Sequence, residues 1–225
     1  MEKVIFFDID DTLINHTKAK HNALVEFAER YYKILKFDKT NFIKMWDIKS
    51  EKFIKEFFDN NISYQEHRRQ ILNAVLCKKL SNEKLDVIYN EFLYLYEINW
   101  TLFDDVLPTL KKLNKNYILG IISNGSTTQQ KKKLENTNII QYFEYIIISE
   151  EIKVAKPNKK IFKYAFDLVN KNNTKCYYVG DNYSTDIEGA NNVNCTGLWI
   201  KRDNTVIDKS YAYTISSLSQ IEKII

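Results

Sequence analysis

Short apolar runs of strand length recur along the chain, and they constrain its fold more than any other feature. Residues 4–7 (Val-Ile-Phe-Phe) lack the alternation of a half-exposed strand, which indicates burial on both faces. Similar runs follow at residues 117–122, 145–148, 176–179 and 196–200, and helical patterns separate them. Strands that alternate with helices predict an α/β fold with a parallel sheet covered on both faces.

Residues 16–100 carry no buried-strand pattern and are predicted to be helical throughout. Their apolar residues follow helical spacing in stripes that indicate four helices, enough for a small bundle. Because this insert follows the first strand, it would stand at the strand's carboxyl end, where open sheets bind ligands. It could serve there as a lid, or equally as a second packing layer. The predicted domains are an α/β core of residues 1–15 and 101–225 and a helical insert at 16–100.

Composition excludes several classes of protein. With 225 residues and 44% hydrophobic content, the chain can bury a sizeable core and is not disordered. Its 33 basic and 29 acidic residues are too balanced for an electrostatic nucleic-acid surface, although a net charge of +4 mildly favours small anionic substrates. The run Lys131, Lys132, Lys133 lies in a helical pattern whose successive residues point in different directions, so a solvated helix face is predicted.

The sequence shows no sign of a membrane segment or of a disulfide framework. Its longest apolar stretches are strand-sized, and Glu2 and Lys3 precede too short an apolar run for a signal peptide. The three cysteines are odd in number and widely spaced, with no CxxC pair, so buried thiols are expected and neither disulfides nor a zinc site. We therefore expect a soluble, cytoplasmic protein.

Three carboxylates directly follow the first apolar strand. Asp8 and Asp10 stand two residues apart, so their side chains or backbones can converge on one point. Like charges that close require a cation, and hard oxygen ligands suit Mg²⁺. Aspartates at strand ends are also common turn formers, and this motif alone fits both interpretations.

Two further motifs could bind an anion. Ser123, Asn124 and Gly125 follow a buried strand, where a hydroxyl and backbone N–H groups can reach phosphoryl oxygens, although Ser-Asn-Gly is also an ordinary turn. Lys156 precedes Pro157, which restricts the loop before a helix. A fixed ammonium there could neutralise an aspartate nucleophile and a transferring phosphoryl group.

A fourth motif brings two more acids to the same edge of the predicted sheet. Asp181 follows a strand that ends on Gly180, and Asp186 comes five residues later. Asp181 could bind a metal directly, while Asp186 could hold a metal-bound water or orient Lys156. Turn formation for Asp181 and helix capping for Asp186 remain the alternatives.

In order and spacing, these motifs resemble the four signatures of the haloacid dehalogenase (HAD) superfamily: Asp8-x-Asp10-x-Thr12, Ser123-Asn124-Gly125, Lys156-Pro157 and Gly180-Asp181-x4-Asp186. The resemblance spans nearly the whole core. It implies a Rossmann-like parallel sheet with an α-helical bundle inserted as a C1-type cap. The run at 148–162 further resembles the bacterial house-cleaning pyrimidine 5'-nucleotidases, which supports ancestry more than specificity.

The resemblance implies a Mg²⁺-dependent phosphomonoester hydrolase. Asp8 would attack phosphorus to form an aspartyl phosphate, and Asp10 would act as general acid and then as general base. Asp8, the backbone carbonyl of Asp10 and Asp181 would be the metal ligands. Thr12 would position Asp10, while Ser123, Asn124 and Lys156 would bind the phosphoryl group.

Other members of the superfamily provide the alternatives. The founding dehalogenases lack the acid that corresponds to Asp10, which argues against that chemistry here. A sugar-phosphate phosphatase or a phosphomutase would share the aspartyl phosphate. A non-catalytic ligand sensor would keep the fold, but every motif side chain is present in this chain.

The expected substrate is a small phosphorylated metabolite, with pyrimidine and deoxy nucleoside monophosphates ahead of purine nucleotides and sugar phosphates. Trp46 and Phe53 could stack on a base, and Arg69 could reach a polar edge of it. Bundle core for the two aromatic residues and a solvated helix position for Arg69 fit the pattern as well. His16 and His21 are five apart, which misses the spacing of a helical metal pair, so a surface or hinge position is expected.

Overall fold

The computed structural model describes residues 3–60, 62–169, 174–202 and 213–225, except for the side chains of residues 54–60. The chain divides into two compact units, the first made of Met1–His16 and Trp100–Ile225 and the second of Thr17–Asn99. Among the helices of the described residues, none is both long enough and apolar enough to cross a membrane.

The first unit is built on a parallel sheet. Within the described residues, six strands pair in the order β3-β2-β1-β4-β5-β6, all parallel. They are β1 (Lys3–Phe7), β2 (Ile118–Ser123), β3 (Tyr145–Ile148), β4 (Lys175–Gly180), β5 (Thr196–Ile200) and β6 (Thr214–Ile215). The predicted α/β fold with a parallel sheet is confirmed. The sequence did not predict β6, because a strand of two residues is too short to form an apolar run.

Strand β1 lies at the centre of the sheet, and its position explains its composition. It pairs with β2 on one side and β4 on the other, and residues 4–7 are 0% exposed. Burial of each such side chain stabilises the fold by about 1.5–3 kcal/mol. Phe7 aligns with Ile121 of β2 and Val179 of β4, so the chain leaves these three strands at one edge of the sheet.

Helices flank the strands of the first unit: α5 (Val106–Leu113), α6 (Thr127–Asn136), α7 (Ser149–Ile152), α8 (Lys159–Val169) and α9 (Glu188–Asn191). Helix α8 has an apolar stripe at helical spacing, in which Ile161, Phe162 and Ala165 are buried. These side chains pack with Phe6 and Tyr178 of the sheet. The packing fixes the helix that follows Lys156 and thereby limits where that lysine can lie.

The second unit contains α1 (His16–Tyr31) from Thr17 onward, α2 (Lys39–Asn60), α3 (Tyr64–Val75) and α4 (Asn82–Ile98). Its core is aromatic. Trp46 is only 2% exposed and packs on Phe27, Phe42, Tyr89 and Phe92, with ring centroids 4.5–5.9 Å apart. This corrects the expectation that Trp46 offers a stacking face to a base, because neighbouring rings already occupy its faces.

The other two substrate candidates of the helical unit also have local partners. Arg69 donates from Nε and Nη2 to the Asp86 carboxylate at 2.7 and 2.5 Å, and its contact with a substrate edge stays a prediction. Phe53 is half-buried, and the Lys52 ammonium lies 5.7 Å from its ring centroid. Of the two aromatic candidates, Phe53 is therefore the one whose side chain keeps part of its surface exposed.

Candidate active site

Asp8 and Lys156 form a buried ion pair at the carboxyl edge of the sheet. The backbone N–H of Asp8 donates to the Val179 carbonyl at 2.9 Å, so the residue is still held by β4 although β1 has ended. Lys156 Nζ lies 2.7 Å from Asp8 Oδ1, and the two side chains are 4% and 9% exposed. A buried charge without a partner would be costly, so each group fixes the other in place.

Asp186 and Tyr178 complete the surroundings of this lysine. Asp186 Oδ1 lies 2.8 Å from Lys156 Nζ, which also donates to the Tyr178 hydroxyl at 2.9 Å. Burial lowers the pKa of Lys156, but the carboxylates of Asp186 and Asp8 outweigh it and raise that pKa above its ordinary value. Lys156 is thus a permanent cation. Sequence reasoning missed Tyr178, because a tyrosine in a buried strand has the pattern of a core residue.

Gly180 allows Asp186 to approach the lysine. A Cβ atom on Gly180 would lie 2.4 Å from Asp186 Oδ2, closer than any side chain permits. The same Oδ2 accepts the backbone N–H of Asn182 at 3.1 Å. Asp186 lies inside a π-helical turn, Tyr183–Ile187, whose N-cap is Asn182, so the capping alternative for Asp186 does not hold. Both of its oxygens have partners, an arrangement that orients Lys156.

Asn124 holds the backbone of Lys156. Its side-chain amide donates to the Lys156 carbonyl at 3.1 Å, and its Oδ1 accepts the Lys156 N–H at 2.8 Å. The Asn124 side chain thus joins the second motif to the third, and phosphate binding by the backbone N–H groups around it stays a prediction. Gly125, with φ at 132°, donates its N–H to Ser149 Oγ at 3.0 Å, so this amide also has an internal partner.

Three carboxylates of the site could hold a metal ion. Asp8, Asp181 and Asp186 each offer an oxygen, and these atoms all lie within 4.8 Å of one another. An all-oxygen, acidic donor set suits a hard cation such as Mg²⁺. Thr12 is fully buried, and its hydroxyl lies 3.5 Å from Asp181 Oδ1, while its role in positioning Asp10 stays a prediction.

Burial and the charges of neighbouring acids both raise the pKa values of Asp8 and Asp181. Burial raises the pKa of Asp181 to about 8, and the charges of Asp8, Asp186 and Asp11 add to the rise. Burial likewise raises the pKa of Asp8 to about 6, although the Lys156 ammonium opposes it. A lysine therefore does not neutralise the cluster, and a divalent cation would favour the ionised form of both aspartates.

Asp10 is separate from this cluster and is held by two residues of α6. Lys133 Nζ donates to both carboxylate oxygens at 2.6 and 2.8 Å, and Gln130 Nε2 donates to Oδ2 at 3.2 Å. Lys133 and Gln130 are each 1% exposed. The prediction that residues 131–133 form a solvated face is wrong for Lys133, because one of three successive helical positions points towards the Asp10 carboxylate.

The Lys133 contact sets the charge of Asp10. Burial by itself would raise the pKa of Asp10, but the Lys133 ammonium, with His16 and the two side-chain hydrogen bonds, lowers it to about 2. His16 Nδ1 lies 3.9 Å from Asp10 Oδ1, so this histidine has a place beside the acid. Asp10 is accordingly a carboxylate at neutral pH.

Gln130 also links Asp10 to the second motif. Its Nε2 lies 2.8 Å from Ser123 Oγ and 3.1 Å from the Asn124 carbonyl. Ser123 is 1% exposed at the end of β2, where its hydroxyl accepts this bond. One buried amide thus holds the general acid candidate and the phosphate-binding candidate in a fixed relation.

Arg202 braces the loop after Asp10. Its Nη2 donates to the Thr12 carbonyl at 2.5 Å, and its Nη1 donates to both oxygens of Asp105 at 2.8 and 2.9 Å. The guanidinium also lies 3.9 Å from the Phe103 ring centroid. Sequence reasoning missed these contacts, because Asp105 and Thr12 lie 97 and 190 positions from Arg202 in the chain.

Comparison with known proteins identifies the family of this site. Residues 2–194 of the chain match the family of haloacid dehalogenase-like hydrolases. The chain belongs to this hydrolase family. The family resemblance seen in the four sequence motifs is therefore confirmed.

Named relatives within the family act on different substrates. The chain is 34% identical to the glyceraldehyde 3-phosphate phosphatase of Pyrococcus abyssi, over 89% of this chain and 82% of that one. It is 36% identical to the pyrimidine 5'-nucleotidase YjjG of Escherichia coli, over 52% of this chain and 53% of that one. The HAD-hydrolase YfnB of Bacillus subtilis, solved bound to magnesium, has the same fold: TM-score 0.79, 22% identity, 99% and 98% of the two chains covered.

Proposed function

We propose that this protein is a Mg²⁺-dependent phosphomonoester hydrolase that forms an aspartyl phosphate on Asp8. The observation that carries the proposal is the buried contact between Asp8 and Lys156 beside a cluster of carboxylates. Several buried acids with raised pKa values beside one lysine favour a functional site, where a cation and an anionic substrate must both be accommodated.

Asp8 and Lys156 carry out the first displacement. One Asp8 oxygen is held by Lys156, and the carboxylate attacks phosphorus as the bond to the leaving oxygen breaks. The ammonium of Lys156 stabilises charge on the phosphoryl oxygens. Asp186 and Tyr178 hold the ammonium in place, and the Asn124 amide holds the backbone of Lys156. Mg²⁺ bound by Asp8, Asp181 and the backbone carbonyl of Asp10 would supply further neutralisation of that charge.

Asp10 serves as the general acid and then as the general base. It donates a proton to the leaving alkoxide and then, as a carboxylate, accepts one from the water that attacks the aspartyl phosphate, which restores Asp8. Because Lys133 keeps Asp10 ionised in the free protein, Asp10 has to take up a proton before it can act as the acid.

Replacement of Lys133 by methionine is expected to lower kcat on an alkyl phosphate by about tenfold or more, and much less on an aryl phosphate. The change removes two hydrogen bonds that position the Asp10 carboxylate, so the acid is misplaced although its pKa rises, and Asp8 and Lys156 are left untouched. A poor leaving group needs that acid, and an aryl oxide does not. The measurement is kcat on both esters over a range of pH.

Lys132→Met is the matched control, because Lys132 is the exposed neighbour on the same helix. It should leave kcat on both esters near the parent value. Equal losses of Lys133→Met on both esters, with no change in the pH profile, would show that Lys133 supports only the fold.

The substrate that we propose is a nucleoside 5'-monophosphate, with a pyrimidine and deoxy preference. Its support is the likeness of residues 148–162 to pyrimidine 5'-nucleotidases and the similarity to YjjG. A triose or sugar phosphate is the second candidate, and the match to the Pyrococcus abyssi phosphatase, over most of both chains, favours it.

A panel of phosphate esters separates these two candidates. We expect kcat/KM for pyrimidine deoxynucleoside monophosphates to exceed that for glyceraldehyde 3-phosphate and hexose phosphates by about tenfold or more, a difference of about 1.4 kcal/mol in transition-state binding. A 2-haloacid should release no halide. If a triose or hexose phosphate outranks every nucleotide, the nucleotidase proposal fails while the phosphatase proposal stands.

A further inference from the structure

Two of the three cysteines meet at the edge of the sheet opposite to the catalytic residues. Tyr177 of β4 aligns with Thr196 of β5, so Cys176 in β4 and Cys195, which directly precedes β5, stand side by side. Their Sγ atoms are 3.0 Å apart, and the Cys195 thiol donates to Cys176. The expectation of buried thiols is corrected for Cys77, which is exposed, and for Cys176, which is half-buried. Strand pairing brings Cys176 together with Cys195, 19 positions away.

The two thiols differ in exposure. Cys195 is 2% exposed, whereas Cys176 is half-buried and lines a cavity of about 350 Å³ with Val4, Phe166 and Val193. A small reagent can therefore reach Cys176 first. Since Asp181 follows Cys176 by five residues of extended chain, this cavity lies roughly 16 Å along the strand from the carboxylate cluster.

We propose that Cys176 and Cys195 are a dithiol modification site that forms a reversible intramolecular disulfide with a small-molecule disulfide as the oxidant. In the first step the Cys176 thiolate attacks one sulfur of the reagent, whose S–S bond breaks and releases one thiol. In the second step Cys195 loses its proton and attacks Cys176 Sγ, and the second reagent thiol leaves. The protein loses two protons and two electrons, and the reagent is reduced to two thiols.

The order of attack follows from the surroundings of the two sulfurs. Burial, together with its hydrogen bond to Cys176, raises the pKa of the Cys195 thiol well above its ordinary value. Cys195 is thus a poor initial nucleophile, but it is held in contact with the mixed disulfide once that has formed. Proximity makes the second step intramolecular and fast.

The bond would close a loop that contains Asp181 and Asp186. A cross-link of this kind restricts the unfolded chain and stabilises the fold. The oxidised protein is therefore expected to unfold at a temperature higher by about 5 °C. This consequence is independent of the proposed phosphatase activity.

The test uses the full chain with Cys77→Ser, which removes the exposed thiol. The folded protein is incubated with hydroxyethyl disulfide, quenched in denaturant with an alkylating agent, and weighed by mass spectrometry. We expect no alkylation and no adduct, with both thiols recovered after dithiothreitol. In this background Cys195→Ser should retain one adduct on Cys176, and Cys176→Ser should remain unmodified.

Two alkylated thiols, or two separate adducts, in the Cys77→Ser protein would overturn the proposal. An unmodified Cys195→Ser variant would also overturn it, because Cys176 would then not be the accessible thiol. An oxidised protein that unfolds at an unchanged or lower temperature would show that the bond does not fit the native strands, and would overturn it as well.

Discussion

Replacement of Asp8 by asparagine is expected to reduce phosphatase turnover by about 10⁴-fold or more, while the protein stays folded. The amide keeps the shape of the side chain but cannot form an aspartyl phosphate. Lys156 keeps its contact with Asp186, so the substitution does not leave a buried ammonium without a partner. The loss is measured as the steady-state rate of phosphate release by the variant and the parent, with an aryl phosphate and, separately, with the best substrate of the panel.

The unfolding temperature of Asp8→Asn shows whether its activity is lost because the nucleophile is missing or because the protein is unfolded. Because burial raises the pKa of Asp8 to about 6, above its usual 3.8, its ionised form destabilises the folded state at neutral pH. The variant should therefore unfold at or above the parent's temperature in metal-free buffer. Asp11→Asn is the matched control, since asparagine tolerates the positive φ of 55° at that position, and it should keep most of the activity.

Removal of Mg²⁺ is expected to abolish turnover, and its return to restore it. The cluster of Asp8, Asp181 and Asp186 concentrates negative charge where an anionic substrate has to bind, and without a cation that charge repels it. Asp181→Ala should raise the Mg²⁺ concentration for half-maximal activity by about tenfold or more. Titration of EDTA-treated protein with Mg²⁺ gives both results. Full activity in metal-free buffer would contradict the proposed site.

The same carboxylates predict how Mg²⁺ binding depends on pH. The pKa values of Asp8 and Asp181 are raised in the folded state, to about 6 and about 8. Their contribution to stability is therefore present below about pH 4 and is lost as the pH rises through these values. The unfolding temperature of the metal-free protein should fall as the pH rises from about 4 to about 8. The rise in unfolding temperature on addition of Mg²⁺ should become larger towards about pH 8.

The sheet could be predicted from the sequence because its strands are buried on both faces. A central strand such as β1 has to be apolar along its whole length, so the pattern survives in the sequence alone. The functional residues at the strand ends could also be predicted from the sequence, since Asp8, Ser123 and Asp181 stand at the ends of apolar runs. Strand β6 left no such pattern in its two residues.

Side chains that act through distant partners were not predictable from spacing. Lys133 has the sequence surroundings of a solvated lysine, and only the packing of α6 shows that it faces Asp10. Trp46 is of a residue type that could stack on a base, yet it packs on Tyr89 and Phe92 and belongs to the core of the helical unit. The Cys176 and Cys195 pair depends on the register of β4 with β5. In each case the deciding information is tertiary.

The most direct test of the central claim is chemical detection of the phosphoryl group on Asp8. In Asp10→Asn, an aryl phosphate should still phosphorylate Asp8, because its leaving group needs no acid, while the loss of the base slows hydrolysis. The reaction is quenched in acid, reduced with borohydride, digested and analysed by mass spectrometry. The proposed mechanism predicts homoserine at position 8, dependent on both substrate and Mg²⁺ and absent from protein that also carries Asp8→Asn. An active enzyme whose position 8 stays unmodified, or whose phosphoryl group is found on another residue, would contradict it.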